Sequence, residues 1–71
     1  MDKRERFKKV AEQRTNKVLK MIELLGNCSN KNNYEYTEEE IKKIFNAIDS
    51  QLNETKSKFK NIKEKNNKFT L

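Results

Sequence analysis

An apolar repeat in the second half of the chain constrains its fold most. Ile41, Phe45, Ile48, Leu52, Thr55, Phe59 and Ile62 recur at alternating intervals of four and three residues. That spacing keeps side chains on one face of a helix and is out of phase with the two-residue period of a strand. Ile44 widens the stripe at its start. Just upstream, Thr37 and Glu40 form an S/T-x-x-E capping box, while Tyr36 and Ile41 hold the two positions of a hydrophobic staple. The pattern predicts a helix over about 38–64. Glu38, Glu39 and Glu40 fall in its first turn and lysines crowd its last turns, the charge order that the helix macrodipole favours.

The first half repeats the pattern with one interruption. Phe7, Val10 and Ala11, Val18, Met21 and Ile22, and Leu25 share a face, which predicts a helix over about 3–25. Arg14 stands where this seam requires an apolar residue. In an antiparallel pairing it falls in the layer of Leu52, near Asp49, where a polar contact adds little net stability but fixes register; we favour that role over ligand binding. The single glycine, Gly26, follows the seam at the place where helices commonly end in the left-handed conformation.

One Gly and no Pro leave few sites for tight hairpins or positive φ, so the reading is all-α. At ~1.5 Å per residue both helices are roughly 35–40 Å long. The expected architecture is a single helical-hairpin domain over residues 1–71, with a loop at 26–36 and a frayed tail at 65–71. Hydrophobic residues make up 32% of the chain, against about 45–50% in ordinary globular proteins. Folds this small lean on disulfides, a metal or a partner subunit. One Cys and no His leave the subunit, so a homodimer forming a four-helix bundle is expected. Its core would hold Phe45, Ile48, Leu52 and Phe59.

Several classes of function lose support. No His is present, Cys28 is the lone thiol, and Glu38-Glu39-Glu40 reads as a first-turn charge set. No catalytic residue, metal ligand or cofactor is therefore assigned, and no small-molecule substrate is expected. No apolar run is long enough to span a membrane, and Met1-Asp2-Lys3-Arg4-Glu5-Arg6 leads into no apolar signal region. A cytoplasmic protein is expected, which sets aside glycosylation at Asn27-Cys28-Ser29 and Asn53-Glu54-Thr55.

The run Leu24-Leu25-Gly26-Asn27-Cys28-Ser29-Asn30-Lys31-Asn32-Asn33-Tyr34-Glu35-Tyr36-Thr37, with Ile44-Phe45-Asn46-Ala47-Ile48 and Leu52-Asn53-Glu54-Thr55-Lys56, resembles a set of small helical proteins of bacterial plasmids, phages and conjugative elements. The likeness covers about Arg6 to Phe59. It implies an origin in a mobile genetic element and carries no assigned activity or site residues.

Charge is segregated. Residues 1–25 hold eight basic and four acidic residues, residues 26–50 three and five, and residues 51–71 six and two, for a formal net charge of +6. On a helical projection Arg6, Lys9, Gln13, Asn16, Lys17 and Lys20 share a strip beside the seam, while Glu5, Glu12 and Glu23 share another. Lys56, Lys60 and Lys63 form a shorter row on the second helix. Cations interleaved with amides suit a phosphate backbone, so DNA or RNA binding in a regulatory or accessory role is the leading reading. Alternatively the basic pole docks on an acidic protein, making the chain an inhibitor or adaptor of a phage or plasmid, or the lysines simply keep a small bundle soluble.

The loop is a second candidate. Asn30, Asn32, Asn33, Tyr34 and Tyr36 either form a surface for partner recognition or are a polar connection stiffened by Asx turns and plugged by tyrosines. The structural alternative is preferred.

Overall fold

A computed structural model describes the backbone of residues 2–68 and the side chains of residues 2–60. The described residues form two helices and no strand: α1, Lys3–Gly26, and α2, Glu38–Lys68, with a turn of 3₁₀ helix at Asn27–Ser29. The chain divides into two compact units, Met1–Glu35 and Tyr36–Leu71.

In the first unit, α1 starts at a cap that the periodicity does not reveal. Asp2 is extended at φ −77° and ψ 172°, and its carboxylate accepts the Glu5 N–H at 2.7 Å. Its carbonyl accepts the Arg6 N–H at 3.0 Å. Two donors at the helix start are thereby satisfied, and the carboxylate offsets the unfavourable placement of Lys3, Arg4 and Arg6 at the positive end of the macrodipole.

The left-handed ending expected at Gly26 is not found. Gly26 lies at φ −59° and ψ −29°, and no described residue has positive φ. Asn27 continues right-handed at φ −66° and ψ −18° with its N–H closed onto the Leu24 carbonyl, and the backbone extends only at Asn30, φ −71° and ψ 103°. Tightening into a 3₁₀ turn satisfies the last carbonyls without a positive φ. The freedom of glycine is therefore unused here, and a Cβ added to Gly26 would meet nothing within 4 Å.

Asn30 organises the loop that follows. Its Oδ1 accepts the Asn32 N–H at 3.0 Å, an Asx turn, and its carbonyl accepts the N–H groups of Asn33 at 3.1 Å and Tyr34 at 3.0 Å.

In the second unit the capping box forms as expected. The Thr37 N–H donates to Glu40 Oε1 at 2.8 Å, the Glu40 N–H donates to Thr37 Oγ1 at 3.1 Å, and the Thr37 hydroxyl also reaches Glu40 Oε1 at 3.2 Å. Tyr36 and Ile41 are both half-buried, as a staple requires. The helical backbone continues to Lys68, four residues past the expected end at 64. The tail expected to fray from residue 65 is thus helical over 65–68, and residues 69–71 lie outside the described residues. Asn66 and Asn67 lower helix stability by only about 0.7 kcal/mol each relative to alanine, far less than a proline would.

None of the described residues is buried. Val10, Ala11 and Leu25 on α1 and Ile41 and Ile48 on α2 are half-buried. Of the four positions expected in the core, only Ile48 is partly covered, whereas Phe45 is 47%, Leu52 49% and Phe59 67% exposed. Neighbours at i±3 and i±4 shade a side chain on its own helix, and enclosing it takes a second apolar surface.

Because Gly26 is right-handed and open, Gly26→Ala should stabilise the chain by about 0.4–1 kcal/mol, read as a higher melting temperature in circular dichroism; a loss of helix would contradict the observed φ. Thr37→Ala should cost about 0.5–2 kcal/mol. Amide exchange at the start of α2 should accelerate in that variant, while the amides of α1 keep their protection.

Candidate nucleic-acid interface

The basic strip of α1 rests on an unbroken helix. At ~100° per residue, Arg6, Lys9, Gln13, Asn16, Lys17 and Lys20 fall within an arc of roughly 100°, and from Arg6 to Lys20 the strip extends about 21 Å along the axis. All six residues are exposed. On one side lies the line of Glu5, Glu12 and Glu23, and on the other the seam of Val10 and Met21. No acidic residue interrupts the strip, so a polyanion approaching this face meets cations and amides at each turn. Leu24 continues the strip's direction at its C-terminal end and is 45% exposed, which closes the polar rail with an apolar side chain.

On α2, Lys56 and Lys60 are exposed one helical turn apart. Phe59 lies beside this row, about 60° from Lys56 around the axis, and is also exposed. The side chain of Lys63 lies outside the described residues. Two hydroxyls nearby are already engaged along their own helix: Thr55 donates to the Gln51 carbonyl at 2.9 Å and Ser57 to the Glu54 carbonyl at 2.7 Å. Arg14 is exposed on α1 within the apolar seam.

The loop candidates separate into two kinds. Asn30 turns its Oδ1 and carbonyl toward the backbone of the turn itself, and Tyr36 is half-buried at the start of α2. Asn32, Asn33 and Tyr34 are exposed, Tyr34 at 53%. Tyr36 is thus half-buried at its staple position within the second unit, whereas Tyr34, expected to help plug the connection, is exposed. Leu19 and Leu24, both exposed, were missed because they lie off the seam that the periodicity picks out.

The exposed Cys28 stands in the 3₁₀ turn. Among the described residues, no group of three or more His, Cys, Asp or Glu side chains could hold a metal ion, and no helix is long and apolar enough to cross a membrane. What the α1 face offers chemically is fixed positive charge with amide donors and acceptors on a stiff support. No family model, curated protein or solved structure matches the chain.

Proposed function

We propose that this chain is a small, non-enzymatic helical module of a mobile genetic element that binds DNA or RNA in a regulatory or accessory role. The binding face is the strip of Arg6, Lys9, Gln13, Lys17 and Lys20 on α1, with Lys56, Lys60 and Lys63 of α2 in support. The observation that carries this reading is the acid-free run of exposed cations and amides over about 21 Å of one helix. Cations neutralise phosphates and set position, while amide side chains reach sugars or base edges. Lys and Arg near the start of α1 oppose its macrodipole, a cost that a polyanionic ligand would offset.

On this reading the seams of α1 and α2 pack antiparallel as a helical hairpin, and two copies form a four-helix bundle. Phe45, Leu52 and Phe59 are exposed, so α2 keeps apolar surface free for such packing, and a lone hairpin would still leave one side of each stripe in water. Hairpin closure brings the basic segments 1–25 and 51–71 to one pole, where α2 lysines extend the α1 strip. The cytoplasm is the compartment this function requires.

The test is fluorescence anisotropy with duplex DNA and structured RNA from about 50 to 300 mM salt. Binding to duplex should weaken with a log–log slope near −0.9 per phosphate contact. Lys9→Ala or Lys17→Ala should weaken binding to all sequences alike and reduce the slope by about one unit. Absence of micromolar binding at the lowest salt, or variants that leave the slope unchanged, would transfer the basic pole to an acidic protein partner.

A further inference from the structure

The apolar stripe of α2 and the order of charge along that helix together select an occupant of their own, apart from any nucleic acid. With Phe45, Leu52 and Phe59 at a and Ile41, Ile48 and Thr55 at d of a heptad, Asp49 and Lys56 both fall at e. Charge reverses along the helix. Residues 38–50 hold four acidic and two basic residues, whereas residues 51–60 hold one acidic and three basic. On α1 there is no such reversal, since residues 3–14 and 15–26 are each net basic.

We propose that a second copy of this chain covers the α2 stripe, its own α2 laid antiparallel with the crossing point near Leu52. This rests on the dimer reading above and adds which helix forms the interface and in which direction. A parallel pair would set Glu38, Glu39 and Glu40 against their own copies and the lysines of residues 56–60 against theirs. An antiparallel pair sets the acidic half against the basic half at both ends, repeated by the two-fold axis, and brings Asp49 close to Lys56 of the partner subunit. Opposed macrodipoles favour the same direction. Pairing α1 with α1 sets net-basic halves together in either orientation. Thr55, the one polar residue among these six positions, already donates its hydroxyl to the Gln51 carbonyl at 2.9 Å, so it enters a dry seam with its donor satisfied.

The experiment uses the full chain with Cys28→Ser and one spin label in turn at Lys43→Cys, Ser50→Cys and Ser57→Cys, positions seven residues apart on the outer face of α2. For an antiparallel crossing at Leu52, the axial offset between the two labels is about 6 Å at position 50, about 15 Å at 57 and about 27 Å at 43. Pulsed dipolar spectroscopy should therefore give distances that lengthen in that order. Equal distances at all three positions would overturn the proposal while leaving the dimer, and a monomeric mass by light scattering would overturn both. Asp49→Lys should raise the dimer dissociation constant about tenfold, through two symmetry-related pairs, and Lys56→Asp in the same chain should restore it; a double variant as weak as the single one also overturns the proposal. The salt titration with nucleic acid is read separately: its failure alongside the ordered distances would remove the nucleic-acid reading and leave the interface.

Discussion

Hydrogen bonding at the helix starts is the constraint on which the rest of this structure depends. Nucleating a helix fixes several residues for a single hydrogen bond, and no described side chain is buried to offset that cost. The two starts are correspondingly well satisfied. Asp2 holds the Glu5 N–H, and Thr37 and Glu40 bond each other's backbone N–H groups. The staple residues Tyr36 and Ile41 are among the few side chains with any cover, so the α2 start is both hydrogen-bonded and locally packed. From these fixed starts the apolar and basic residues are carried around each helix in register.

Charge follows from the same helices. On α1 the strip of Arg6, Lys9, Lys17 and Lys20 is continuous only because nothing between Lys3 and Gly26 breaks the helix. A kink would turn part of the strip away from a common ligand. Its uniform sign makes α1 suited to a polyanion and poorly suited to pairing with itself. The reversal of sign along α2 has the opposite consequence. Two faces of similar length thus differ in what they can accept, and the difference lies in charge order, since both carry an apolar seam alongside.

The connection between the helices shows how a polar loop is ordered without proline or a left-handed glycine. The 3₁₀ turn at Asn27–Ser29 uses up the last helical carbonyls, and Asn30 then closes a turn through its side chain and its carbonyl. These bonds commit Asn30 to the turn itself, and Asn32, Asn33 and Tyr34 are exposed beside it. Amide-rich composition in this segment therefore has a structural cause at Asn30, while the amides of Asn32 and Asn33 are exposed.

Features that depend on residues three or four apart were legible in the sequence alone: the two helices, the Thr37 start, the staple, and the strips on which Lys9 and Lys17 or Lys56 and Lys60 align. Helix geometry relates such positions directly, so spacing suffices. The Asp2 cap has the same local nature and could have been read from Asp2 and Glu5. Three-dimensional structure decided what spacing leaves open. Gly26 is permitted in either hand, and the chain took the right-handed path because the 3₁₀ turn satisfied the Leu24 carbonyl. The end of α2 moved from 64 to Lys68 because asparagine weakens a helix without stopping it. Phe45 and Leu52 carry a perfect core periodicity and are nevertheless exposed, because periodicity assigns a side chain to a face, and burial depends on whether a second apolar surface is present to receive it.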